Sequence, residues 1–171
     1  MKRIFLPLVA FALLALCAQA ASAKVITVDD NGLDCRKADF NNIQSAVTAA
    51  APGDTVKVCA GTYVEQVVIP AGKDDLTLRS HTPLAAVIKA PPVMAGDKAI
   101  VLVRGAQNVT IDAFTITGPG GGVCDSIRYG VRVDGGASVA LSHNRITEIR
   151  DNPKWSAMDL RLPGQVHLES S

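Results

Sequence analysis

Two pairs of adjacent carboxylates, Asp29-Asp30 and Asp74-Asp75, are the first candidates for acid–base chemistry in this chain. General acid–base catalysis needs two groups converging on one substrate, whereas neighbouring residues on a strand point to opposite faces. Both pairs therefore read as solvated turns. A second set, Arg104, Asp112, Tyr129, Arg132 and Asp134, has the composition of a recognition strip. Shifting the sequence by thirty residues sets Arg104 over Asp134, Leu102 over Arg132, Thr110 over Ala140 and Asp112 over Ser142. Such a strip can bind a polar polymer, and it can equally be an ion pair between repeats on a solvated face. Aromatic residues make up only 4% of the chain, which limits stacking on sugar rings.

Metal chemistry finds little support. Asp29, Asp30, Asn31, Asp34 and Asp39 are rich in the oxygens that calcium takes, but their spacing is not that of an EF-hand loop. A polar turn leading to a helix N-cap is the reading adopted, and no cofactor is expected. His81, His143 and His167 have no Cys or His companion at ligand spacing, so no metal site is assigned.

The chain has 171 residues, is 48% hydrophobic, and carries a formal net charge of +1. Much of the apolar excess lies in residues 1–23, where Met1-Lys2-Arg3 precedes a run from Ile4 to Cys17 and a small-residue ending, Ala21-Ser22-Ala23. This is the layout of a secretory signal peptide, so a secreted or periplasmic location is expected. No later stretch approaches the roughly 18 apolar residues of a membrane span. Without the leader, 148 residues carry 15 basic and 16 acidic side chains of mixed order, which argues against nucleic acid as a partner. An exported chain favours oxidised cysteines, and three remain: Cys35, Cys59 and Cys124. Cys35 precedes the helix described next and Cys59 ends the first strand after it, so a Cys35–Cys59 bridge is expected, leaving Cys124 unpaired.

These residues must be positioned by short strands. Residues 24–171 hold 18 Val and 10 Ile against 9 Leu, with fourteen Gly, a composition of strands and turns. One segment differs: Phe40, Ile43, Val47 and Ala50 recur at helical spacing, predicting an amphipathic helix over 39–51 with Asp39 as N-cap and Pro52-Gly53-Asp54 as its stop. Strands are predicted at Thr55–Val58, Val64–Ile69, Leu76–Arg79, Ala86–Lys89, Ile100–Arg104, Val109–Ile111, Phe114–Thr117, Gly130–Val133, Val139–Leu141 and Arg145–Ile149. The thirty-residue shift superposes Val101 on Val131, Val103 on Val133, Gly105 on Gly135, Val109 on Val139, Ile111 on Leu141 and Ile116 on Ile146. Repeated units with one inward stripe apiece imply a stacked solenoid whose ends need caps.

The run Phe40-Asn-Asn-Ile-Gln-Ser-Ala-Val47, then Ala50 to Val58, Gly61-Thr-Tyr-Val-Glu65 and Val67-Val-Ile69 resembles the start of right-handed parallel β-helix proteins of the pectin-lyase-like superfamily. The resemblance covers roughly 25–151. It implies an all-β solenoid of three to four coils over residues 24–151, with the helix as N-terminal cap and polysaccharide as the partner class. A lateral polar strip is where such proteins bind sugars, which gives Arg104, Asp112, Tyr129, Arg132 and Asp134 as binding residues. The catalytic sets of the family's esterases, lyases and polygalacturonases have no counterpart here, so no catalytic residue is assigned. After Asp151 the period is lost, and residues 152–171 read as an irregular tail of a C-terminally shortened member. Two functions are carried forward: a non-catalytic exported scaffold that recognises polysaccharide or a cell-envelope partner, and the N-terminal part of a polysaccharide lyase or pectin-esterase-like enzyme without its catalytic coils. Turnover of a uronate polymer separates them. The oligomeric state is left open.

Overall fold

The structure, a computed structural model, describes residues 22–122 and 124–152. Of the leader inferred over 1–23 only Ser22 and Ala23 fall among them, and the tail from 153 onward lies outside them.

Twelve strands and one helix, α1 (Ile43–Ala49), make up the described residues. Strands β1 (Val25–Val28), β2 (Thr55–Val58), β5 (Thr77–Ser80), β8 (Val109–Asp112) and β11 (Val139–Ser142) form a five-stranded parallel sheet in that order. A second sheet stacks β3 (Gly61–Val64), β6 (Ala86–Lys89), β9 (Thr115–Thr117) and β12 (Arg145–Thr147). The third holds β4 (Val67–Ile69), β7 (Ala99–Arg104) and β10 (Tyr129–Asp134). Each coil visits the three sheets in turn, giving a parallel β-helix of about four turns. Tyr129 pairs with Ala99, Val139 with Val109 and Ile146 with Ile116, so the thirty-residue shift is the physical register between the last two coils.

Inward residues stack into columns, because parallel in-register coils place like positions one rung apart. Ile26, Val56, Leu78, Ile111 and Leu141 form one column; Tyr63, Ile88, Ile116 and Ile146 a second; Ile69, Val103 and Val133 a third. The earlier members are buried, whereas Leu141, Ile146 and Val133 in the last coil are 47%, 44% and 43% exposed. Burying an aliphatic side chain fully contributes about 1.5–3 kcal/mol, and these three forgo a large share of it.

The N-terminal end is closed by side chains that imitate backbone. Asn42, not Asp39, is the N-cap of α1, accepting from the Ser45 N–H at 2.8 Å, and Asp39 instead accepts from the Thr27 N–H of β1 at 2.8 Å. The helix is accordingly shorter than its periodicity suggests. Glu65, last residue of the Gly-Thr-Tyr-Val-Glu run, accepts from the Ile43 and Gln44 N–H groups at 2.8 Å each, satisfying donors that a helix start leaves open. Gln44 reaches to β4, where its Oε1 accepts from the Val68 N–H at 2.6 Å and its Nε2 donates to the Val68 carbonyl at 3.2 Å. Its amide thus stands in for the strand that β4 lacks on that side. Gly61 is needed at φ +153°, where a Cβ would meet the Asp30 carboxylate at 2.6–2.7 Å. Two further differences concern extended segments. Val25–Val28 is a strand that local pattern did not reveal, and the strand expected over Val64–Ile69 is split by a corner at Glu65-Gln66 into β3 and β4.

Cys35 and Cys59 are bridged, with Cα atoms 6.2 Å apart and a sequence separation of 24, tying the loop before α1 to the end of β2. A loop of that length gives roughly 3 kcal/mol in the chain-entropy description. Glu65→Ala is expected to lower stability by about 1–2 kcal/mol through loss of both helix-start acceptors. Thermal unfolding of the two variants checks this: Cys35→Ser should lose about the larger amount and become insensitive to reductant, while Glu65→Ala should stay reductant-sensitive.

Candidate functional site

Strands β4, β7 and β10 place a polar cluster on the outer face of their sheet. Alternation along β7 turns Arg104 outward, and the register sets Asp134 of β10 on the next rung. Arg104 grips Asp134 in a two-bonded pair, Nε to Oδ1 and Nη2 to Oδ2, both 2.7 Å, and its Nη2 also bonds Asp97. Arg132 donates from Nε to Asp134 Oδ2 at 3.0 Å and lies 3.3 Å from Asp97 through Nη1. Its guanidinium sits 5.3 Å from the centroid of the Tyr129 ring, a cation–π contact. Two arginines and two aspartates therefore form one closed, neutral network beside an exposed phenol. Next to it runs an open groove of about 270 Å³, lined by Gln66, Val68, Asp97, Leu102 and Arg104 among others.

The electrostatics follow from this pairing. Arg104 beside Asp134 holds that carboxyl below the usual carboxylate range, and Asp134, with Asp97 after it, pushes the Arg104 guanidinium up. Asp97 was not anticipated from sequence. It lies in the connection between β6 and β7, outside the thirty-residue repeat, and only the fold brings it beneath both arginines.

Asp112 belongs elsewhere. It projects from β8 in the five-stranded sheet, where its Oδ1 accepts from the Ser142 hydroxyl at 2.8 Å and lies 2.9 Å from Nδ1 of His143. His143, then Ser142, lower the Asp112 carboxyl below its ordinary value. Of the five residues expected to share a strip, the structure brings together Arg104, Tyr129, Arg132 and Asp134 and leaves Asp112 on another sheet.

The acidic turn at 29–39 is satisfied internally. Asp29 accepts from the N–H groups of Asn31, Gly32 and Cys35, and Asp30 from that of Thr62. Among the described residues no group of three His, Cys, Asp or Glu side chains is arranged to hold a metal ion, and no helix is long and apolar enough to cross a membrane. Cys124 is exposed and unbridged in the loop between β9 and β10. That loop is held by Asp151, which accepts from the N–H groups of Asp125 and Ser126 and from the Ser126 hydroxyl.

Solved structures similar to the whole chain include pectin methylesterases. One is pectin methylesterase in complex with hexasaccharide VII, at a TM-score of 0.55 and 16% identity, covering 72% of this chain and 43% of that one. The chain shares the parallel β-helix fold of this structure. A point mutant of pectin methylesterase in complex with hexasaccharide IV gives a TM-score of 0.53 at 16% identity, covering 74% of this chain and 50% of that one. The chain thus spans half the length of these structures or less. No family profile and no curated protein matches its sequence.

The arginine–aspartate network should register in acid stability. A carboxyl lowered in the folded state contributes stability above the ordinary carboxylate pKa of about 4, and this contribution is lost as pH falls through the folded value. Asp134→Asn is expected to lower stability slightly near pH 6, since the pair is partly exposed, and to lose that effect in acid. Denaturant unfolding of both proteins at several pH values checks this, with the difference closing as pH falls below about 4.

Proposed function

We propose that this chain is an exported β-helix module that binds a polysaccharide across the β4–β7–β10 face without transforming it. The observation that carries the reading is the Arg104–Asp97–Arg132–Asp134 network beside Tyr129. Paired guanidinium and carboxylate groups present planar hydrogen-bonding edges that suit vicinal hydroxyls. They are fixed by one another on a rigid sheet, so little side-chain freedom is lost on binding. Tyr129, 41% exposed, offers ring surface at the edge of the cluster. The likeness of the fold to pectin methylesterases solved with hexasaccharides supports this ligand class. The signal-peptide pattern of residues 1–23 and the Cys35–Cys59 bridge support export.

The cluster itself offers no free acid–base pair. The carboxylates of the cluster are engaged by arginines, and a carboxylate held that way is a poor general base near neutral pH. A second reading has its own observation. The chain covers only 43% and 50% of the two structures it resembles, and the inward residues of its last coil are half exposed, as expected if further coils carry the catalysis of a longer enzyme.

Calorimetry with a methyl-esterified oligogalacturonide, alongside assays for methanol release and for unsaturated lyase product, separates these readings. Binding without turnover is expected, weakened at least tenfold in Arg132→Ala. Turnover by this chain would overturn the non-catalytic reading, and the absence of both binding and turnover would overturn the polysaccharide assignment.

A further inference from the structure

The last coil ends on strands with a neighbour on one side only. Among the described residues β10, β11 and β12 each stand at one end of their sheet. Val133 of β10 is 43% exposed, whereas Ile69 and Val103, earlier in its column, are fully buried. The three runs of this sheet share a form: Val67-Val-Ile-Pro-Ala71, Val101-Leu-Val-Arg-Gly105 and Val131-Arg-Val-Asp-Gly135. A further copy, Leu160-Arg-Leu-Pro-Gly164, stands in the sequence beyond the described residues. The thirty-residue shift is lost after Asp151, but a shift of twenty-nine sets Leu160 on Val131, Leu162 on Val133, Gly164 on Gly135 and Leu168 on Val139.

The match is specific to β10 and to one register. Glycine two residues past the last inward residue marks β7 and β10, where Gly105 and Gly135 have φ of +75° and +62°, whereas the turns after β8 and β11 hold Ala113 and His143. The connection has the right length, because Leu160 follows Thr147 by 13 positions and Val131 follows Thr117 by 14. A shift of thirty would turn Arg161 and Pro163 inward over Val131 and Val133, and one of twenty-eight would bury Asp159 and Arg161. Pro163 takes the place that Pro70 has just after β4, at the opposite edge of the sheet, and an edge tolerates the missing N–H.

We infer that the open edge of β10 is a docking surface for this chain's own residues 160–168, with Leu160-Arg-Leu162 paired in parallel to Val131-Arg-Val133 and Leu168 over Val139. The added rung covers Val133 and closes an edge that would otherwise accept a strand from another chain. A second copy could offer the same run only from solution, whereas a tethered segment acts at an effective concentration of roughly millimolar. Arg161 then faces outward beside Arg132, a like-charge contact whose cost is small because Asp97 and Asp134 already hold Arg132. The inference concerns the coil end and does not rest on the carbohydrate reading.

Paired cysteines in the full chain test this, with Cys124→Ser removing the free thiol. Arg132→Cys/Arg161→Cys sets two thiols outward on neighbouring rungs, within the roughly 4.4–6.8 Å Cα separation that a disulfide needs. Mild oxidation should join them within one chain, as located by peptide mass mapping. Ala140→Cys/Arg161→Cys, whose first position lies on the five-stranded sheet, should crosslink at least tenfold more slowly. Hydrogen exchange supplies a reading without new thiols. Leu160→Asp/Leu162→Asp should lose amide protection in β10 by tenfold or more, and His167→Asp, outward in the same alignment, should keep it. Circular dichroism confirms folding of each variant. No crosslink in the folded protein, equal rates for the two cysteine pairs, or unchanged β10 protection in the aspartate variant would overturn the inference. A crosslink formed only between chains would overturn it as well, by giving the edge to a second copy.

Discussion

Everything in this protein depends on parallel register between coils. Each coil is too thin to have a core of its own, so Val56 or Ile88 is buried only because a like residue sits one rung above and one below. The same register that aligns inward aliphatics also aligns outward side chains, which turns single residues into columns. Recognition surfaces are therefore a by-product of how the core is built. A slip of one residue in the pairing of a strand would exchange its inward for its outward positions and destroy both at once.

Stacking also creates ends, and the two ends are managed differently. At the N-terminal end α1 covers the coil, Glu65 closes the helix start and Gln44 supplies β4 with a substitute neighbour. The Gly-Thr-Tyr-Val-Glu run is thus a structural device. Its glycine makes room for Asp30, its tyrosine donates to the Cys59 carbonyl at 3.1 Å, and its glutamate reaches back across 22 residues to the helix. At the other end, Val133, Leu141 and Ile146 lack such cover among the described residues.

Much of this was legible in the sequence because a repeat reports register directly. The pairs Val101/Val131 and Ile116/Ile146, aligned by a shift of thirty, are hydrogen-bonded neighbours in the structure. The Cys35–Cys59 bridge was legible for a related reason, since the positions flanking a cap and its first coil must be close. Other features were hidden because they arise from contacts with no local signature. Strand β1 has four residues and makes sense only as the rung beneath β2, thirty residues later. Asp97 enters the cluster from a non-repeating loop, and Asp112 leaves it because the corner between β7 and β8 sends the next strand to another sheet. Period alone says which residues share a column, not which columns share a face.

The central claim is that lateral strand faces of a rigid solenoid bind carbohydrate. Amide chemical-shift mapping of the full chain, titrated with a defined hexasaccharide of methyl-esterified galacturonate, tests it most directly. Shifts gathered on β7 and β10 around Arg104, Arg132 and Asp134, with the inward columns unmoved, are the predicted result. Shifts confined to the open coil end or to the 29–41 turn, or none at saturating ligand, would contradict it.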